Sequence, residues 1–222
     1  MTVPAAERVR AHQRFAALLE RALDACARPV PEPDRDRIVE WLWAVAQWNR
    51  KLDLTAARDD PELVDLMLAD AVVLAAELRV GACVVDVGSG AGAPGLALGL
   101  LRPDLRVTLV EPKHKRAAFL RTMLGSLALP GQGSGPVSEV IQARAEQIER
   151  SDFDVALSRA TFPPEEWLDR GAALAPGGDV WVLLAREAAP ARGGWVLVRD
   201  FGYRWPLTGA ERRATCYRPQ DG

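Results

Sequence analysis

The stretch that most constrains this chain is a short apolar run that empties into glycines. Residues 83–87 read Cys-Val-Val-Asp-Val, and Gly88-Ser89-Gly90-Ala91-Gly92-Ala93-Pro94-Gly95 follows at once. A run of this length, closed by glycines and followed by the apolar segment 96–101, predicts a buried strand that turns directly into a helix. That unit fits one kind of architecture, in which parallel strands alternate with helices. The rest of the chain is expected to repeat the alternation, and it does. Strands are predicted at 107–111, 140–141, 154–157 and 180–184, with helices at 113–127 and 165–174 between them. Residues 131–136 read as a loop, and Pro176-Gly177-Gly178 as a tight turn into the strand at 180. Runs at 195–198 and 215–217 complete seven strands. No helix is predicted after residue 179, so the last two should form an antiparallel hairpin at one edge. The fold class is therefore α/β, with a mostly parallel, doubly wound seven-stranded sheet.

Residues 1–80 read as a helical extension and 81–222 as the sheet domain. Phe15, Leu18, Leu19, Ala22, Leu23 and Cys26 fall on one helix face, and Ile38, Trp41, Leu42, Val45 and Trp48 on another. Pro29, Pro31 and Pro33 separate the two. Asp60 before Pro61 and Glu62 marks a third helix start, with Asp60 as the capping acceptor.

Composition narrows the function. The 222 residues carry 28 Lys and Arg against 30 Asp and Glu, a net charge of −2, and 49% are hydrophobic. Disorder and a disulfide scaffold are excluded. The three cysteines, Cys26, Cys83 and Cys216, show no paired spacing and read as buried, reduced thiols. No apolar run approaches the ~20 residues that span a bilayer, and His12-Gln13-Arg14 is too polar for a signal-peptide core. A cytoplasmic protein without a membrane or metal partner is expected. With only His12 and His114 available, zinc hydrolysis and a Ser-His-Asp relay are poorly supplied. The charge is uneven, however. Residues 186–218 hold seven arginines against three acids, and Lys113, Lys115, Arg116 and Arg121 form a second basic group. Both groups are open to two readings, a solvated face or contacts to RNA phosphates.

In an open parallel sheet, ligands bind beyond the carboxyl ends of the strands, beside the first strand-to-helix turn. Gly88, Gly90 and Gly92 would let backbone approach such a ligand closely. Glu111, at the end of the next strand, is placed to take both hydroxyls of a ribose. Gly88-x-Gly90-x-x-Ala93 also satisfies the dinucleotide fingerprint, so a nicotinamide cofactor stays open. Asp86 and Pro94 favour S-adenosylmethionine, because a carboxylate at the strand end can hold an ammonium and gains nothing beside a pyrophosphate.

Several segments resemble the bacterial 16S rRNA guanine-N7 methyltransferases, also called glucose-inhibited division protein B. Trp48-Asn49-Arg50 with Leu52-Asp53-Leu54-Thr55, Arg58-Asp59, the stretch 86–95, Lys115 to Arg121, Arg144-Ala145-Glu146 and Ser158-Arg159-Ala160 follow in that family's order. The resemblance runs from about residue 40 to 187. It implies a Rossmann-like class I methyltransferase fold and an rRNA or small-subunit substrate. It also implies that Gly88 and Ala93 line the cofactor, that Ala145 and Glu146 flank its adenine, and that Arg159 sits between cofactor and substrate. Departures are visible. The family's Arg-His pair before Asp70 is Leu66-Met67 here, its Asn is Asp53, its Lys-Gly is Arg186-Glu187, and its loop aromatic is Ala93. They keep open a diverged enzyme acting on another RNA or small molecule, and a binding module for S-adenosylmethionine or NAD.

Guanine N7 carries a lone pair and no proton, so its methylation needs orientation and no general base. No catalytic acid or base is assigned. Cytosine C5 chemistry would want a cysteine nucleophile, and the three cysteines read as packing. For an exocyclic amine, 158–164 supplies the prolines but not the amide and aromatic. Trp41 and Trp48 lie on the apolar stripe and read as core.

Overall fold

A computed structural model describes residues 4–27, 30–127 and 138–220. The readings of Pro29 as a breaker and of 131–136 as a loop lie outside the described residues. Three helices come first: α1 (Ala5–Ala25), α2 (Glu32–Leu52) and α3 (Asp60–Glu77). The alternating part follows as β1 (Cys83–Val87), α4 (Gly95–Leu101), β2 (Arg106–Val110), α5 (His114–Ser126), β3 (Glu139–Ile141), a 3-10 turn at Ala145–Gln147, β4 (Val155–Arg159), α6 (Pro164–Leu174) and β5 (Asp179–Leu184). Strands β6 (Trp195–Arg204) and β7 (Glu211–Pro219) close the chain.

The seven strands lie in the order β3-β2-β1-β4-β5-β7-β6. Strands β1 to β5 pair in parallel, and β7 runs antiparallel to both β5 and β6. Chain order reverses between β1 and β4, which opens the crevice where such sheets take ligands. Alternate residues face opposite layers. Val84, Val107, Leu109, Leu157, Trp181 and Leu183 pack with the first five helices. Val85, Val87, Val110, Ala156, Val180 and Val182 pack with Trp167 and Leu168 of α6. Burial on both faces is why these strands read as continuous apolar runs. Helices α1–α3 share the larger core with the sheet.

Four expectations are corrected. The cap of α3 is Asp59, whose extended backbone lets Oδ1 accept from Glu62 N at 2.9 Å, while Asp60 is already helical. Trp48 is 45% exposed, because the last turn of α2 runs past the core and its ring only leans on Phe119, 6.3 Å away. Of the cysteines, only Cys216 is buried; Cys26 and Cys83 are half-buried at a helix end and a strand start. The hairpin strands are longer than their apolar runs, since an edge ladder needs only one buried face and tolerates the arginines on the other.

Candidate functional site

The glycine loop is tied to the strands on either side of β1. Gly88 N and Ser89 N both donate to Val110 O, at 2.8 and 3.1 Å, and Ser89 Oγ donates back to Asp86 O at 2.8 Å. The loop needs glycine at two positions for different reasons. Gly88 has φ +82°, and a Cβ there would run into the side chain of Thr161. Gly92 has φ +108°, and a Cβ would sit 2.8 Å from Leu96 Cβ and 3.2 Å from the Trp41 ring. Trp41 also donates Nε1 to Ala91 O at 3.1 Å, so α2 braces the loop from beneath. Gly90 has φ +57°, and a Cβ there would meet only Gly88 O, at 3.8 Å. Next to it, Glu111 accepts from Gly90 N (3.0 Å) and from Lys113 N (2.9 Å), one oxygen each. A carboxylate oxygen carries two lone pairs, so each retains capacity for a hydroxyl donor. A half-buried glycine beside this fixed carboxylate, itself 3% exposed, forms at the strand switch point a cradle that fits a ribose-bearing cofactor.

Asp86, read from the sequence as a cofactor ligand, is 1% exposed, and its Oδ2 accepts from Gly95 N at 2.9 Å. The carboxylate holds the loop from behind. Burial pushes its pKa up to about 6, against the opposing pull of the Gly95 N–H and the Arg159 charge. Ala93, implied by the resemblance to line the cofactor, is 5% exposed and packs with the core under the loop.

Arg159 stands at the tip of β4. Its Nη1 donates to Asp70 Oδ2 (2.9 Å) and to Leu66 O (2.6 Å), both on α3. Asp70 is 2% exposed, and its other oxygen accepts from Tyr203 OH at 2.6 Å and Trp205 Nε1 at 3.3 Å. Burial, with Asp70 beside it, pushes the Tyr203 hydroxyl far up, so it remains a donor at any working pH. Arg159 keeps Nε and Nη2 without a hydrogen-bond partner among the described residues, and these border a cavity of about 210 Å³ lined also by Leu66, Leu183 and Arg212. Ser158 Oγ donates to Val87 O at 2.8 Å, locking β4 to the start of the glycine loop.

The remaining predicted positions lie on the 3-10 turn. Ala145 is partly buried against the α6 side of the sheet. Glu146 pairs with Arg170 at 2.5 Å, and Arg170 covers the ring of Phe162, 4.9 Å from its centroid.

Comparison with known proteins decides the relationship. The GidB family model, described as rRNA small subunit methyltransferase G, matches residues 34–189. The chain belongs to this family. A ribosomal RNA small subunit methyltransferase G from Anaeromyxobacter sp. (strain Fw109-5) is 34% identical over 212 residues, covering 92% of this chain and 97% of its own. Another, from Halorhodospira halophila, is 39% identical over 145 residues, covering 65% and 66%. Among solved structures, a SAM-dependent methyltransferase from Aquifex aeolicus superposes with TM-score 0.53 at 17% identity, over 72% of this chain and 93% of that one. That likeness speaks for the fold.

Within the rRNA small subunit methyltransferase G family, the glycine loop, Glu111 and Arg159 thus converge at one end of the sheet, as their positions in sequence imply. Two aromatics escaped the sequence reading. Tyr203 and Trp205 come from the hairpin, more than 130 residues from the aspartate they hold. A signal was present: Phe201, Tyr203 and Trp205 stand at alternate positions, the period of a strand face.

Proposed function

We propose that this protein transfers a methyl group from S-adenosylmethionine to N7 of a guanine in 16S rRNA, in the cytoplasm, with the rRNA or the small ribosomal subunit as its partner. Family membership carries the reading, and the cradle formed by Gly88, Gly90 and Glu111 supports the cofactor. When bound, S-adenosylmethionine supplies a methyl group on a positively charged sulfur, open to attack by a lone pair. Glu111 takes the ribose hydroxyls, the backbone at Gly88 and Gly90 allows close approach, and Ala145 and Glu146 border the adenine. Arg159 orients the acceptor by donating to guanine O6, which leaves the N7 lone pair free to attack.

This chemistry asks little of the protein beyond placement. Guanine N7 has no proton to lose, so no residue has to remove one. Neither histidine lines the Arg159 cavity: His12 is engaged by Arg8 O and Glu40 on the helical bundle, and His114 opens α5. Asp70 has both oxygens occupied by donors and serves to hold Arg159.

Two measurements test the proposal. Calorimetry is expected to show S-adenosylhomocysteine binding and no comparable binding of NAD; tight NAD binding would overturn the cofactor. Mass spectrometry of 16S rRNA from a strain lacking this chain should show one 7-methylguanosine missing, restored by the intact gene. Unchanged modification in that strain refutes the acceptor.

A further inference from the structure

Strand β5 ends at Leu184, and residues 185–187 leave it beside the β6–β7 hairpin. Between them lies a groove of about 410 Å³, lined on its charged side by Arg186, Arg204, Arg212 and Arg213 with Glu187 and Glu211. It shares Ala185, Tyr203 and Arg212 with the Arg159 cavity, so the two adjoin. Most of the groove lies beyond residue 189, where the family match ends.

The four cations are not equivalent. Arg213 grips Asp200 with two contacts of 2.6 Å, and Arg204 pairs with Glu211 at 2.5 Å. Each of those charges is answered within the protein. Arg186 and Arg212 form no ion pair among the described residues. Glu187, the nearest acid in sequence, turns its carboxylate back onto the N–H groups of Ala185 and Arg186, at 2.9 and 3.0 Å. Glu62 and Glu187 both feel the charge of Arg212 without bonding to it. The Arg212 guanidinium stands over the Trp205 ring, 3.8 Å from its centroid, and donates through Nη1 to Glu211 O at 2.7 Å. A guanidinium fixed this way loses little freedom on binding and offers a ready fork of donors. This fixed guanidinium and that of Arg186, both lining the groove, match the oxygens of a phosphodiester.

We infer that this groove is a phosphate subsite, in which Arg186 and Arg212 bind the RNA backbone next to the guanine presented to Arg159. The inference rests on the proposed function and adds the part of the protein that anchors the strand. The cofactor crevice and the phosphate groove then lie on opposite sides of Arg159.

Binding of a 16S rRNA fragment, measured across a series of salt concentrations, tests it. Each phosphate contact adds about 0.7–0.9 to the slope of log affinity against log salt. R186Q/R212Q keeps the aliphatic stems and removes both charges. It is expected to lower the slope by roughly 1.5 and affinity at least about tenfold at low salt. R186K/R212K should restore most of the slope, which separates lost charge from damaged folding. R150Q, at the far end of the sheet, should leave the slope as it is. An unchanged slope in R186Q/R212Q, or an equal fall in R150Q, overturns the subsite. Methylation of the same RNA is scored in parallel. A protein that methylates N7 with an unaltered slope in R186Q/R212Q sinks the subsite alone. One that binds RNA through these arginines but leaves N7 unmodified sinks the proposed function and upholds the subsite.

Discussion

Burying Asp86 beneath the glycine loop sets up a pH dependence with an unusual sign for a carboxylate. Its pKa rises from 3.8 to about 6 on folding, so between those values the native chain holds a proton that the unfolded chain has released. The stability from this group is complete below about pH 4 and is lost as pH climbs through 6. The gap corresponds to on the order of 3 kcal/mol. Asp86→Asn keeps an oxygen for Gly95 and abolishes the charge. The difference in thermal midpoint, variant minus wild type, should therefore grow between pH 4 and 7 and then level off. A difference independent of pH contradicts the assignment. Gly88 makes a second case. An alanine there would be strained by its positive φ at about 1–2 kcal/mol and would push on Thr161. Gly88→Ala is expected to weaken S-adenosylhomocysteine binding at least about tenfold in calorimetry, and affinity equal to wild type would show that the loop does not touch the cofactor. The glycines were legible because positive φ leaves a mark in residue type. So was the exchange of the family's Asn for Asp53, which caps α2 at φ +49°, a conformation both residues tolerate. The direction of the Asp86 carboxylate was not legible, because it depends on α4 docking behind the loop rather than on any local pattern.

Periodicity identified the buried stripe of α2 but not where the core stops, so Trp41 and Trp48 looked alike in sequence and differ in place. Trp41 is fully buried and holds the loop carbonyl of Ala91; Trp48 is 45% exposed. The first therefore braces the glycine loop although it lies nearly fifty residues upstream. Trp41→Phe retains most of the packing and removes one buried hydrogen bond, about 1 kcal/mol. The midpoint should drop by roughly 2–4 °C, with a parallel loss of S-adenosylhomocysteine affinity; a stability loss with affinity intact would mean that α2 supports the core but not the loop. Helix α3 plays the same part for the hairpin. Asp65 accepts from Leu207 N (3.1 Å), Thr208 N (2.7 Å) and Thr208 Oγ1 (2.7 Å), and Asp70, five positions on, accepts from Tyr203 and Trp205. Sequence periodicity could not announce these pairings, since they join segments more than 130 residues apart.

At the level of the whole molecule, the parallel core and the hairpin contribute different halves of one active face. The alternation of strands and helices, read from apolar runs and turns, gave the core its order; the hairpin showed only as two short runs because its arginines interrupt them. A net charge of −2 hides this division, since residues 186–218 hold seven arginines against three acids. Strand β7 lies between β5 and β6 rather than outside them, and this has a practical cost for anyone trimming the protein to its family-matching part. A chain stopped after residue 189 would leave Val180-Trp181-Val182-Leu183-Leu184 with its amides and carbonyls bare along one flank. Five apolar residues in extended form are a template for pairing with any similar strand nearby. Such a fragment should be recovered as aggregate in a centrifuged lysate, and a clear monomer peak on a sizing column would prove that expectation wrong.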